Sequence, residues 1–528
     1  MKKEQAKLKH TRNAFYVFSM LVFLFWIQYA MHACFSFIGR GKEYPFLLQG
    51  IWLLSALVFC CAFLLCSALG AKKRDLTLHV SQSGLVEGIL AAGILIAAFL
   101  VRLVYIEIMP VEPESDYRFY YELALCLCSG KPLASSNYYT NYISLFPHVY
   151  GYPKLLSLFY VLSGDTSVLT SLLFNLFAQI VSFIAVWRTA RLLAGRLAGI
   201  AALLLVSFLP STILYSNIVA SEPVFTAILF CAIWMFFLSL SDTPRHRQHP
   251  NSPVIELCTA GFLLAFASFV RPVALIILVA ALLYLVLADV PALDARSAPL
   301  VRRTVDEGWK RGVLLVLCYL LLSGLLKAGV SAAVERKLLS ASVSCGYSLM
   351  VGLNVSSTGE WNQEDSQFLY DNLERTGSAE QTHLACRNVA VQRLHENWRK
   401  LLNLFVQKFE RLWGNDEYGA YWSSSFMSQQ GMLNEGRRSF YEQMTAVSNF
   451  YYLFLLLGAV VFGCITIRSE PDPGWTLVLL FCGTIVMHLL VENQNRYHYH
   501  ALPLLCIFSG AALGKVRNFV TNRQSQKL

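Results

Sequence analysis

About twelve apolar runs long enough to cross a lipid bilayer recur along this chain, and they constrain its fold more than anything else in it. They lie near residues 13–38, 48–71, 84–108, 168–190, 197–216, 221–240, 254–270, 272–289, 312–331, 447–467, 474–491 and 498–515. A helix needs about 20 apolar residues to span the hydrocarbon core. Of the 528 residues, 56% are hydrophobic and 14% charged, whereas soluble chains carry about a quarter charged residues. The expected fold class is therefore an all-α polytopic membrane protein. The turn after residue 216 and the Arg271–Pro272 break are the divisions on which that count depends.

The charge pattern sets the orientation. The net charge of +10 is compatible with an acidic partner, but Lys and Arg gather in the short loops between apolar runs. They concentrate on the side that holds both termini, which predicts cytoplasmic N- and C-termini and a plasma-membrane location. No basic face is interleaved with aromatics, so nucleic acid is not an expected partner. The first run, after MKKEQAKLKHTR, reaches to about Phe37, too long for a signal-peptide core, and is read as a retained helix.

The segment Gly151 to Gly164 is apolar but only about half the length of a span. Counting it as a crossing would invert everything after it, so it is expected to lie flat on the outer surface. Four parts result: two N-terminal spans (1–83), a core of spans (84–331) with a first outer loop (109–167), a large outer loop domain (332–446), and three C-terminal spans (447–528). QTHLACRNVAVQRLHENWRKLLNLFVQKFERLWG has apolar residues at helical spacing beside Arg and Lys, which predicts helix leaning on the membrane.

Most of the 14 cysteines sit inside apolar runs as small hydrophobes, and no pair has zinc-site spacing. Cys345 and Cys386 share the large loop, either paired or as two free thiols.

Unusual polar residues cluster at the outer helix ends, with Asn175 and Gln179 as the main exceptions inside a span. A coupled transporter is expected to carry midplane charge instead. Directly after the third span, MPVEPESDYRFYYELALCL offers Glu112, Glu114, Asp116 and Glu122 around Arg118. Asp116 could accept a proton from an attacking hydroxyl or amine; the alternative is a solvated acidic loop. His148 and Lys154 flank the next turn, where a lysine either holds a phosphate or snorkels to lipid headgroups. Glu222 opens a helix beside Pro223, which dipole effects alone also favour. Arg271, in a tight turn beside Pro272, either clamps a phosphate or anchors the interface. In LLVENQNRYHYHALPLL, Glu492, Arg496, Tyr497, His498 and His500 crowd one short turn. Arg496 is suited to a phosphate, with Tyr497 and His498 as hydrogen-bond donors.

Taken in order, the acidic outer loop, YPKLLSLFYVLSG, FLPSTILYSNIVASEPVF, SFVRPVAL and RYHYHALP resemble the GT-C superfamily of multi-spanning glycosyltransferases. The resemblance is greatest to the branch of protein O-mannosyltransferases and lipid A aminoarabinose transferases, and it runs over roughly 84–515. It implies a GT-C-like fold and a polyprenyl-phosphate-linked sugar donor. The implied acceptor is a lipid, protein or polysaccharide of the cell envelope. The family's catalytic acid falls on Asp116, its late Arg-Tyr pair on Arg496 and Tyr497, and its SE-like and RP-like positions on Glu222 and Arg271. His148, Lys154, Arg118 and His498 complete the expected substrate-binding set. The family's Asp-Glu pair is missing, since Asp116 is followed by Tyr117, and no Asp-x-Asp pattern argues for a divalent metal. A metal-independent site without a cofactor is expected. The competing readings are a lipid-linked glycan flippase or transporter, a scaffold, and a polysaccharide polymerase or ligase using a pyrophosphate carrier.

Overall fold

Backbone amides inside a bilayer have no water to bond, so an apolar run must satisfy its own hydrogen bonds as a helix. The computed structural model describes residues 2–39, 84–241, 244–288, 305–339, 344–395, 398–467 and 469–525, and no strand occurs among them. The membrane core is built from α1 (Lys2–Gly39), α2 (Gly84–Ile108), the short α3 (Ser115–Cys128) and α4 (Gly151–Ser163), α5 (Val168–Ala194), α6 (Arg196–Ser207), α7 (Glu222–Leu240), α8 (Ser252–Val270), α9 (Leu275–Ala288) and α10 (Val305–Val334). There follow α11 (Gly346–Gly352), α12 (Gln363–Thr376), α13 (Ala379–Leu394), α14 (Trp398–Trp413), α15 (Tyr418–Gln429), α16 (Glu435–Thr466), α17 (Gly474–Leu490) and α18 (Leu502–Ser525).

Among the described residues, eight helical stretches are long and apolar enough to cross a membrane: His10–Ile38, Gly84–Ile108, Val168–Ala194, Glu222–Leu240, Ser252–Val270, Gly308–Val334, Glu435–Thr466 and Asn495–Val516. Three shorter apolar helices, Arg196–Ser207, Pro272–Leu287 and Gly474–Leu490, occupy three further expected runs. The expected span at 48–71 lies outside the described residues. The last stretch is the most enclosed, packed by α6 and α16, while α10 exposes most of its surface.

Three expectations need correction. The run 197–216 is not one span. α6 stops at Ser207, Pro210 begins a separate turn to Leu214, and irregular chain leads to Ser221. The reason is also a correction to the reading of charge. Arg102, within α2, is fully buried and donates to Gln179 Oε1 (2.6 Å), Ser207 O (2.7 Å) and Thr212 Oγ1 (3.0 Å). It fills the open carbonyl end of α6 with a cation, which helix ends favour. The third correction concerns α16, which begins at Glu435, twelve residues before the expected 447, capped by Asn434 accepting from the Arg437 amide at 2.9 Å.

The 13-residue α4 covers about 20 Å at 1.5 Å per residue. It is tied to α5 through Tyr152, whose hydroxyl donates to Asn175 Oδ1 at 3.0 Å. In the 332–446 region, α11 to α14 enclose a small core of Tyr347, Met350, Val351, Leu369, Cys386 and Leu404, joined by Leu145 from the first loop. Buried Asp365 accepts from both guanidinium ends of Arg393, at 2.9 and 2.7 Å. α14 is amphipathic: Trp398, Leu402 and Val406 form an exposed row while Leu401, Leu404, Lys408 and Leu412 are buried. Cys345 and Cys386 are both free thiols.

Candidate active site

Asp116, Glu222, Arg271 and Arg496 come from four separate stretches of chain and meet at one place. α3 is preceded by two prolines, Pro110 and Pro113, and opens at Ser115 with φ +53°. That left-handed conformation costs a residue with a Cβ about 1–2 kcal/mol, and local strain of this sort gathers at functional sites. The next residue is Asp116, whose side chain is 48% exposed. Glu222 stands in the first turn of α7, where Pro223 needs no amide partner. Arg271 ends α8, and Pro272 opens the turn into α9. Arg496 lies in a 3₁₀ winding, Asn495–Ala501, that leads directly into α18.

The carboxylates and guanidiniums alternate. Arg496 Nη2 donates to Asp116 Oδ2 at 2.9 Å, and its Nε is 3.7 Å from Glu222 Oε1. The same Glu222 oxygen is 2.9 Å from Arg271 Nη2. Glu222 is 2% exposed and Arg496 4%, so neither charge is dispersed by bulk water. Aromatic faces hold the Arg496 guanidinium, with Tyr117 at 4.7 Å and Trp422 at 4.9 Å. Tyr497 stands 5.6 Å from the Arg271 guanidinium, and its hydroxyl reaches Glu492 Oε1 at 3.5 Å. Burial, and then the nearby Asp116 charge, push the Glu492 carboxyl up to about 7.

The other expected residues divide. His148 lies close enough to Arg271 to feel its charge, and burial with that charge pushes the imidazole down to about 4. Lys154 is half-buried on α4 and makes no ion pair with a described residue. Arg118 faces solvent and pairs along its own helix with Glu122 (3.1 Å) and Glu114 (4.0 Å), away from Arg496. His498 is fully buried, turned from the cluster towards Asp416 Oδ1 at 3.2 Å among Trp413, Tyr418 and Tyr452. Burial raises the Asp416 carboxyl, and the His498 contact opposes this. Arg118 and His498, both expected in the substrate-binding set, thus lie apart from the Arg496 cluster.

Sequence reasoning missed Tyr117 and Trp422, and it gave Glu492 no role. Trp422 comes from α15, and its indole Nε1 donates to Asn495 Oδ1 at 3.0 Å, beside Arg496. Tyr117 Oη lies 2.7 Å from Tyr215 Oη. A paired-charge site of this kind can hold one phosphate between its guanidiniums and present an exposed carboxylate beside it. Among the described residues no group of three or more His, Cys, Asp or Glu gathers as a metal cage.

Residues 148–300 match the family of dolichyl-phosphate-mannose-protein mannosyltransferases. His148, Lys154, Glu222 and Arg271 fall inside the match, whereas Asp116 and Arg496 fall outside it. This match supports the GT-C resemblance read from the sequence. No curated protein matches the chain. Among solved structures, a crystal structure of the Archaeoglobus fulgidus oligosaccharyltransferase in complex with zinc and sulfate is 14% identical, with a TM-score of 0.43, covering 82% of this chain and 50% of that one. The same organism's oligosaccharyltransferase with an inhibitory peptide and a dolichol-phosphate is 12% identical, with a TM-score of 0.43, covering 83% and 51%. The chain thus spans about half the length of these structures, and likenesses at this level decide nothing about its chemistry.

Proposed function

We propose that this protein transfers a sugar from a polyprenyl-phosphate carrier to a cell-envelope acceptor at the outer face of the membrane. The observation that carries the reading is the meeting of Asp116, Arg496, Glu222 and Arg271 at the ends of apolar helices. A lipid-borne phosphate approaches from the bilayer, and the helix ends are where it would arrive.

The step follows from charge. In a sugar–phosphate–polyprenyl donor the phosphate is a diester with one negative charge. Asp116 accepts the proton of the acceptor hydroxyl or amine as that atom attacks the anomeric carbon from the face opposite the phosphate. The anomeric carbon–oxygen bond breaks, its electron pair leaves with the polyprenyl phosphate, and the configuration inverts. The departing phosphate gains charge, which fixed guanidiniums stabilise most strongly where water is scarce. At rest Asp116 and Glu222 balance Arg496 and Arg271. A phosphate on Arg496 competes with Asp116 and releases that carboxylate towards the acceptor. The Glu492 carboxyl, raised to about 7 by burial and the nearby Asp116 charge, puts less negative charge beside the leaving group than an ordinary carboxylate would. No step calls for a metal. The sugar is a hexose or a pentose, and the acceptor is a lipid, a protein or a polysaccharide.

The test is native mass spectrometry of detergent-purified protein, wild type beside Arg496→Ala. A polyprenyl phosphate, bare or with one sugar, that accompanies the wild type and is lost from the variant supports the reading. Ordinary phospholipids alone, unchanged by the substitution, overturn it and favour a flippase or scaffold. A pyrophosphate carrier bearing a whole glycan would favour a polymerase or ligase.

A further inference from the structure

The turn that carries Arg496 is held from outside by a buried lysine. Lys408, on α14 of the loop domain, is 1% exposed. Its Nζ donates to Leu489 O (2.8 Å) and Val491 O (2.7 Å) at the end of α17, and to Gly352 O (2.7 Å) at the end of α11. All three protons of the ammonium meet carbonyls from two separate helix ends, where acceptors are otherwise open and a cation is favoured.

The surrounding contacts fasten the same turn. Asn493 Nδ2 donates back to Lys408 O (3.0 Å), Asn493 N donates to Gly359 O (2.9 Å), and Glu492 N donates to Ser348 O (2.8 Å). A Cβ on Gly352 would fall 2.3 Å from the Val491 carbonyl carbon, so only glycine lets α11 approach this closely. Gly359 has φ +71°, and a Cβ there would lie 2.9 Å from the Lys408 stem. Buried lysine is rare because its charge is costly to desolvate. A methionine would fill the space but join no carbonyls. The joined segment runs from Leu489 through Glu492 into the winding that presents Arg496.

Building on the transferase reading, we propose that Lys408 is a positioning residue: it fixes the 489–497 turn against the loop domain and so sets the reach of Arg496 towards the carrier phosphate. The loop domain and the carrier-binding arginine then form one mechanical unit, although no hydrogen bond or ion pair joins Arg496 to Lys408 directly. The titratable groups that face Lys408 across the joint are Glu492 and His488.

Hydrogen exchange of the full-length protein in detergent tests the joint without reference to activity. In Lys408→Met, peptides covering 489–497 exchange at least tenfold faster, while those within α5 and α7 are unchanged. Lys408→Gln, which keeps two donors, falls between. Steady-state kinetics with the lipid-linked donor should show a KM for donor raised about tenfold and an acceptor KM unchanged. Protection of 489–497 that survives both substitutions overturns the proposal. So does loss of protection throughout the chain in both variants, or a donor KM equal to wild type when the turn has loosened. If wild type transfers no sugar, the functional reading fails on that ground, and the exchange data still decide whether Lys408 holds the turn.

Discussion

Glu222→Gln isolates the charge balance on which the proposed carrier site rests. The side chain keeps its shape, but the carboxylate between Arg271 and Arg496 becomes neutral. Each pair is worth about 4 kcal/mol at a separation near 4 Å and an effective dielectric constant of about 20. Removing the charge also relieves the desolvation of Glu222 itself, and breaking a buried pair from one side costs ~3–5 kcal/mol. Arg496 keeps Asp116, and the Arg271 side chain is 16% exposed, so the low end, about 3 kcal/mol, is expected. The variant then carries one positive charge in excess, which a lipid phosphate would neutralise. Binding to the folded state stabilises it by RT ln(1 + [L]/Kd), about 2.7 kcal/mol at a hundredfold excess over Kd. Thermal unfolding in detergent, with and without polyprenyl phosphate, reads both effects. The variant should unfold at a lower temperature than wild type, and the carrier should raise its midpoint more than it raises that of wild type. A variant as stable as wild type, or a carrier that shifts both equally, refutes the charge-balance argument.

Asp116→Asn should lower turnover by about 10²–10⁴-fold, the usual span for a lost general base, while retaining the carrier in native mass spectra; intact turnover removes the base from Asp116. Glu492 should produce a pH dependence of stability. Its carboxyl is raised from 4.5 to about 7, so the folded state binds the proton more tightly, and that stabilisation is complete below 4.5 and lost as pH rises through about 7. Thermal midpoints from pH 5 to 8 should therefore fall more steeply in wild type than in Glu492→Gln, and parallel profiles would contradict the shift. Ser115→Gly should keep or slightly raise stability because glycine enters the left-handed region freely, whereas Ser115→Val should lower it; equal midpoints for the two would mean the turn is not strained. EDTA should leave transfer unchanged, and a loss restored by a divalent cation would introduce a metal requirement.

The four charged residues of the cluster were legible as candidates because each stands at the edge of an apolar run, where a charge can meet the membrane boundary. Asp116 follows two prolines at the end of α2, Glu222 and Arg271 each adjoin a proline, and Arg496 precedes the last apolar run. The short α4 was legible for the complementary reason, being apolar but too short to cross. Arg102 was hidden inside an apolar run. Its partners Gln179, Ser207 and Thr212 lie 77 or more residues away in sequence, and such distant pairing leaves no local pattern. Trp422 and Tyr117 resembled any interfacial aromatic until folding stacked them on one guanidinium. His498 was grouped with Arg496 by adjacency. At three residues per turn, however, positions two apart in the Asn495–Ala501 winding project to different sides, and His498 faces Asp416 instead.

That winding also explains how one short turn can serve both the apolar helices and the loop domain. Arg496 faces the two carboxylates, His498 faces the buried aromatic core, and Tyr499 packs against Tyr215 and Tyr418. A regular α-helix would bring 496 and 500 onto one face and pull the guanidinium towards His500, which packs on Phe225 of α7. The tighter winding separates them, at the cost of weaker backbone hydrogen bonds. Such a turn needs support from outside itself. The carbonyl clamp at Lys408 lies on its N-terminal side, and α18, enclosed by α6 and α16, lies on its C-terminal side. The position of Arg496 is therefore set by both the membrane core and the loop domain, and movement of either alters the distance between the guanidinium and Asp116.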